Sequence, residues 1–484
     1  MPRLLPVVLQ RGPSAFPGRY IWAVPAPSSP GQERPMKAVG SSPPPASSRI
    51  TLAGDLDALD RAELERLRER NFAAMLDAAL RTPAVRRRWP DLKPGMTTAD
   101  LAGLPLLGSD DLADGSPPHS DEFLLGGDGP GMVLRSSGTS SKPKMMYHSW
   151  EFNLQVSTLG ARGLRAASRS APPRRIANCF YPAELSGGAF LFTQEVIRLA
   201  GARAYPLASQ TSPADTAEVI AEHAVDALAS NPGYGVEVLT GAEPGRTASL
   251  RHFFYIGELL GRARMRMIAE AAPHVKVRSL AYSTSETGPI GYQCERTGDA
   301  THHVHEDAVV VEVVDERTGE PLPDGETGEV IVTALSDTGM ALFRYRIGDV
   351  GVFGGTPCPC GSPARLLTLH GRTATSLNID TEVVSSDLLL GRLGRLGVTE
   401  PADCQLQVLP EEHGYRLRLL LSNRTPEWIT REAVVDCLSG AQQLRAVLSS
   451  AQCRGFTVER VSPELFARTE RGKVPVLYAH PMPG

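Results

Sequence analysis

The sequence predicts an α/β fold: a large N-terminal layered α/β domain with a β-rich subdomain, followed by a small α+β C-terminal domain. Three observations predict it. Strand-like apolar runs (RIANCFYP, VDALASNP, VKVRSLAYSTSE) alternate with helical ones (FLFTQEVIRLAG, PADTAEVIAEH, GRARMRMIAEAA), the pattern of a layered sheet with much parallel pairing. After about residue 305, short β-rich runs stand between turn signals, as in an antiparallel sheet or small barrel. Beyond Gly371 a third texture of hairpin, helix and final strand begins. At 484 residues, the chain exceeds one ordinary domain.

In chain order, residues 1–50 are rich in Pro, Ser and Gly (PAPSSPGQERP, SSPPPASS) and are expected to be a disordered leader, with Met36 an alternative start. The opening LLPVVLQRG is too short and too polar-flanked for a signal segment. The large domain is expected over 51–371. It opens on an amphipathic helix from Asp55 to Thr82, with Leu59, Leu64, Leu67, Phe72 and Met75 at helical spacings. A second helix, EFNLQVSTLGARGLRAA, is started by Ser149. The small domain is expected over 372–484. There QLQVL and YRLRLLL flank a PEEHG turn, TPEWITREAVVDCL reads as a helix capped by Thr425 with Pro426 in its first turn, and FTVERV is a last strand.

Charge and cysteine usage narrow the partners. A net charge of -4 with interspersed signs offers no footprint for nucleic acid or an anionic membrane. No run approaches the roughly 18 apolar residues of a membrane span. Seven cysteines, two of them in Cys358-Pro359-Cys360, argue for a reducing compartment, hence a cytoplasmic protein. Nothing in the sequence sets the oligomeric state, a homodimer included.

The densest polar stretch is SSGTSSKPK, with Ser136, Ser137, Gly138, Thr139, Ser140, Ser141, Lys142 and Lys144 in one turn. Two of the six lysines of an otherwise arginine-rich chain fall here. Hydroxyls, free backbone N–H groups and ammonium groups suit a polyphosphate, although a plain hairpin turn uses the same residues. It is not a GxxxxGK[ST] loop. A separate group, Cys294, the histidines of THHVH and Cys358 with Cys360, offers three thiolates and an imidazole, a closed tetrahedral zinc set; inert buried thiols beside surface histidines are the alternative.

SSGTSSKPK resembles the phosphate loop of the adenylate-forming enzymes, the acyl-CoA ligases and their relatives. AYSTSETGPIG, FRYRIGDVGVF, LHGR and RTERGKVPV resemble that family's later motifs, in the family's order, over roughly residues 55–484. GEVIVTALSDTGMALFRYRIGD and the CPCG that follows look most like the phenylacetate-CoA ligase branch. The resemblance implies the adenylate-forming enzyme fold with a mobile small domain. It implies that ATP and Mg²⁺ are used to join a small carboxylic acid to AMP, the acyl group then passing to CoA.

Residue by residue, it implies that 136–144 grip the leaving phosphates and that Glu286 ligates Mg²⁺. Ser285 would bond the α-phosphate, and Tyr282 would stack on adenine with Ser283 beside it. Gly257 and Glu258 would flank the base, and Asp349 would take the ribose hydroxyls with help from Arg372. Lys473 would be the catalytic lysine. Read alone, Glu286 is equally a turn cap and Asp349 a strand-end residue. FYPAELSGGAF resembles the acyl-pocket lining, with Tyr181, Gly187, Gly188 and, further on, Tyr234; a Gly-Gly pair that admits a flat group suggests an aryl acid. For the zinc set, the branch pattern points to His303.

Two departures bear on the acceptor. Ala374 stands where the family has Asp or Lys, and TSLNIDTEVV lacks the usual Gly. An amine or a carrier-protein thiol therefore remains an alternative to CoA, and a non-catalytic nucleotide-binding scaffold is a third reading.

Overall fold

The computed structural model describes residues 48–480 apart from 126, 128, 136–143, 184, 244, 258–259, 261, 299, 355–356, 373–375, 381, 399, 412–413 and 468–473. The expected leader lies outside the described residues up to position 47. At residues 48 and 49 the Ser48 hydroxyl and the Arg49 backbone N–H both donate to Asp337.

The first helix, α1 (Arg61–Arg81), starts later than the hydrophobic spacing suggested, because two aspartates compete for the chain upstream. Asp55 accepts from the Asp57 N–H and closes a short 3₁₀ turn, Leu56–Ala58. Asp60 then forms a reciprocal capping box with Glu63, which satisfies two orphan donors. After it come α2 (Pro83–Arg88), α3 (Ser109–Gly115), β1 (Leu124–Leu125), and the antiparallel pair β2 (Gly131–Arg135) and β3 (Met145–Ser149). Helix α4 (Trp150–Ala167) begins where expected, since the Ser149 hydroxyl accepts from the Phe152 N–H.

The layered domain follows: β4 (Arg175–Asn178), α5 (Gly188–Ala200), β5 (Arg203–Pro206), α6 (Pro213–His223), β6 (Ala227–Ser230), α7 (Pro232–Gly241), β7 (His252–Tyr255), α8 (Arg262–Ala271) and β8 (Lys276–Ser279). The strands pair in parallel in the order β5-β4-β6-β7-β8. One apolar cluster built on Leu228, Phe253 and Ile268, and another on Ile176, Val196 and Phe254, take up the apolar side chains of these strands and helices. Each large apolar side chain so buried contributes about 1.5–3 kcal/mol.

The β-rich stretch is an antiparallel sheet: β9 (Tyr282–Thr284), β10 (Gly288–Tyr292), β11 (Thr301–Val304), β12 (Val309–Val314), β13 (Gly328–Ala334), β15 (Tyr345–Gly354) and β16 (Leu366–Arg372), in the order β12-β13-β15-β16-β11-β10-β9. A two-residue strand, β14 (Gly339–Met340), pairs with β1 instead. The core under this sheet runs from Phe72 of α1 to Leu369 of β16.

A separate apolar cluster opens at Ile379 and closes at Leu477. Its elements are the hairpin β17 (Ser376–Ile379) and β18 (Glu382–Ser385), α9 (Ser386–Leu393), β19 (Cys404–Glu411), β20 (Gly414–Ser422), α10 (Arg431–Ser439), α11 (Gln442–Ser449), β21 (Cys453–Val461) and β22 (Leu477–Ala479). The expected hairpin is the β19–β20 pair. The expected cap is not where the sequence put it. Helix α10 is capped by Thr430, whose hydroxyl accepts from Ala433 N–H. Thr425 instead donates to the Ser422 carbonyl and accepts from Arg460, which also holds the Pro426 carbonyl, so these residues form a turn.

Candidate active site

A cavity of about 1660 Å³ is walled by strand ends of the parallel and antiparallel sheets and by β17, β18 and α11. Lys144, which ends the polar turn, lies inside it and is buried. Its Nζ is 2.5 Å from Glu286 Oε1 and donates to the Tyr345 hydroxyl at 2.7 Å, and that hydroxyl donates to Glu286 Oε1 at 3.0 Å. Burial alone would depress the Lys144 ammonium, but Glu286 and Tyr345 outweigh it and hold it above the usual lysine range. Burial would likewise raise the Glu286 carboxyl, yet Lys144 keeps it low, so the pair is ionised. The sequence assigned these two residues separately, to phosphate and to metal. The structure joins them and adds Tyr345, which the sequence reading passed over although it opens the YRIGD stretch. The remaining phosphate-loop residues, Ser136 to Lys142, lie outside the described residues, as does Lys473.

Ser283 and Ser285 line the same cavity. The Ser285 carbonyl accepts from His148 Nε2 at 2.8 Å, and the Thr287 N–H donates to Thr284 Oγ1, which fixes the turn. Burial depresses the His148 imidazole and keeps it neutral, so Nε2 is the donor. Tyr282 lines the cavity too, and its hydroxyl donates to Asp349 Oδ2 at 2.8 Å. Asp349 and Arg372 face each other as backbone partners in β15 and β16. Gly257 lines the wall with φ +103°, a conformation that favours glycine, while Glu258 is outside the described residues.

Tyr181, Gly188 and Tyr234 line the cavity beside the apolar rings of Phe180 and Phe192. The Gly-Gly pair is also closely packed. A Cβ on Gly187 would stand 2.6 Å from the Pro182 carbonyl oxygen, and one on Gly188 3.1 Å from Leu134, so these glycines serve chain packing. The Tyr234 hydroxyl is committed to the Thr211 carbonyl and to Thr216, which leaves its ring for the wall. The loop that lacks the family's glycine still makes its turn. Asp380 takes the left-handed conformation at φ 57° in the β17–β18 turn, and its Oδ2 accepts from the Ser450 hydroxyl at 2.6 Å, so the turn forms with aspartate. Ala374 is outside the described residues.

Away from the cavity, the ligand atoms of Cys294, His303, Cys358 and Cys360 all lie within 4.8 Å of one another. Cys294 Sγ is 3.7 Å from Cys358 Sγ, and Cys360 Sγ is 3.4 Å from His303 Nε2. A tetrahedral zinc with Zn–S bonds of about 2.3 Å requires a sulfur–sulfur edge of about 3.8 Å. The donor set fits. His305 is not among the four, and its Nδ1 faces Arg162.

Comparison with known proteins agrees with this geometry. The AMP-binding enzyme family profile matches residues 74–336. A phenylacetate-coenzyme A ligase of Aromatoleum evansii is 27% identical over 344 residues, 67% of this chain and 75% of that protein. One from Thermus thermophilus is 28% identical over 344 residues, covering 67% and 74%. The crystal structure of 2-hydroxyisobutyryl-CoA ligase, in complex with 2-HIB-AMP and CoA in the thioesterification state, aligns with TM-score 0.68 over 87% of this chain and 90% of that one; at 19% identity it speaks for the fold. With more than half of its length matched by that profile, the chain belongs to the AMP-binding enzymes, the adenylate-forming superfamily, on the phenylacetate-CoA ligase branch.

Proposed function

We propose that this protein is an ATP- and Mg²⁺-dependent ligase that activates a small, aromatic carboxylic acid as its acyl adenylate and passes the acyl group to CoA. The observation that carries the reading is the gathering of Lys144, Glu286 and Tyr345 with the Tyr282–Asp349 pair on one cavity wall. Adenylation needs cations where the pyrophosphate leaves, a carboxylate for a divalent ion and an acceptor for the ribose; these residue types supply all three. When bound at Glu286, Mg²⁺ would neutralise phosphoryl oxygens. Asp349 would orient the ribose with Arg372, Ser285 would donate to the α-phosphate, and Lys473 would meet that phosphate from residues 372–484, the lobe that moves between the two steps. The rings of Phe180, Tyr181 and Phe192 favour an aryl acid.

Zinc at Cys294, His303, Cys358 and Cys360 completes the reading as a structural ion that ties the β10–β11 and β15–β16 connections together. All seven cysteines are free, in keeping with a reducing, cytoplasmic setting. ATP–pyrophosphate exchange over a panel of aryl acids tests the function. Exchange with one of them is expected, at least about a hundredfold weaker in Lys473→Ala; no exchange with any acid in folded protein would refute it.

One observation favours a second acceptor. Glu237, Asp380 and Glu382 line this cavity beside Arg135 and Arg445, and the acidic groups among them can receive an ammonium-bearing nucleophile. Mass spectrometry of the products with CoA omitted and amines supplied separates the two.

A further inference from the structure

Strand β11 carries one polar group that neither the sheet nor the Cys/His cluster uses. Successive residues of a strand face opposite sides. His303 turns its Nε2 to Cys360, and His302 turns to the cavity wall. Gly291 of the neighbouring β10 makes room for it: a Cβ there would stand 3.1 Å from His302 Cβ and 2.7 Å from the His303 carbonyl oxygen. The imidazole lies beside the Tyr282 ring, with centroids 5.6 Å apart and planes at 41°. His302 is only 1% exposed. Its Nδ1 is 3.1 Å from the Ala300 carbonyl oxygen, which places the proton on Nδ1 and the lone pair on Nε2. Nε2 has no partner.

A buried acceptor without a donor is costly, and at a cavity wall a ligand is the natural source of one. The ligand's shape follows from the neighbours. Tyr282, Ile347 and Leu369 line the cavity together with His302, and the Tyr282 hydroxyl is already given to Asp349. Flat apolar walls with an acceptor at the edge suit a planar heteroaromatic ring that carries an amino group. Adenine has that donor on its exocyclic nitrogen. Hypoxanthine and guanine have an oxo group there, which would set one lone pair against another.

We propose that His302 is a specificity-determining residue for the nucleotide, its Nε2 accepting a hydrogen bond from the exocyclic amino group of adenine. The assignment rests on the reading that this cavity takes ATP. It is tested with the full chain by calorimetric binding and by exchange kinetics, using ATP, inosine triphosphate and purine riboside triphosphate, which has hydrogen in place of the amino group. Wild-type protein is expected to prefer ATP over both analogues. His302→Leu should weaken ATP about tenfold while purine riboside triphosphate changes less than about twofold, with kcat for exchange retained. His302→Gln, whose amide oxygen restores an acceptor, should recover much of the loss.

Equal weakening of all three nucleotides would assign His302 to packing and overturn the proposal, as would ATP binding that ignores the substitution. If ATP binds with this discrimination but no acid supports exchange, the adenylation reading falls and the base contact stands. Absence of ATP binding in folded wild-type protein overturns both.

Discussion

Lys144 and Glu286 are each supported by the other's charge in a place almost without water. Removing one partner of such a pair costs far more than the pair contributes, because the survivor stays buried and uncompensated. Lys144→Met should therefore destabilise the protein by about 3 kcal/mol in urea titrations and raise the Glu286 carboxyl above its ordinary range. Pyrophosphate exchange should fall by at least about a hundredfold. At this scale the residues that recognisable stretches singled out, such as Glu286 and Asp349, line the cavity. Tyr345 and His302 were harder to find. A tyrosine in a β-strand is ordinarily core, and a histidine next to one that belongs to a Cys/His cluster is hidden by its neighbour. What distinguishes them is a hydrogen-bond partner 59 residues away for Tyr345 and an unpartnered nitrogen for His302, neither of which is a property of local sequence.

Among the elements, three of the five parallel strands (β4, β6 and β8) and three of the four helices between them (α5, α6 and α8) were read from the sequence, because apolar runs and helical spacing report burial directly. Strand β5, RAYP, escaped because it is a sheet edge with mixed exposure, and the buried strand β7 and helix α7 were not read either. The start of α10 was misread because Thr425-Pro426 and Thr430 offer equivalent signals, and what selects between them is Arg460, which is remote in sequence. Thr430→Ala should cost about 1 kcal/mol and fray the first turn of α10, seen as faster amide exchange at Ala433. The Cys/His cluster sits at the ends of β10, β11 and β15, the strands that carry the cavity wall. Purified protein is expected to hold one zinc per chain by elemental analysis. Cys358→Ser should lose it, with the thermal midpoint falling by several degrees and chelator no longer having an effect.

For the whole molecule, the wall that β18 adds to the cavity also titrates. Glu382 in β18 has its carboxyl pushed up to about 7, by burial first and then by Asp380, while Arg135 at the end of β2 opposes the shift. Between the ordinary carboxyl value and about 7, the folded chain keeps a proton that the unfolded chain has lost. The stability linked to Glu382 is therefore present in full at acid pH and is lost as pH rises through that window. Glu382→Gln should flatten the difference in urea midpoint between about pH 5 and about pH 8. The succession of textures along the sequence suggested two domains; Ala46–Gly484 form one compact unit, in which the apolar cluster from Ile379 to Leu477 is separate from the others. Their mutual placement was not legible, since the residues that meet across the cavity, such as Arg135 and Glu382, lie in short segments of no distinctive pattern.

The clasp of Lys144 on Glu286 has one more implication, for the order in which ligands arrive. A carboxylate already paired with an ammonium and hydrogen-bonded by a phenol has little to offer a free dication, so Mg²⁺ titrated alone should show no saturable site by calorimetry. On the proposed reading, a triphosphate would bring enough negative charge to draw the ammonium away, and Glu286 would then be released to hold the ion. Metal and nucleotide should thus load together, as a complex.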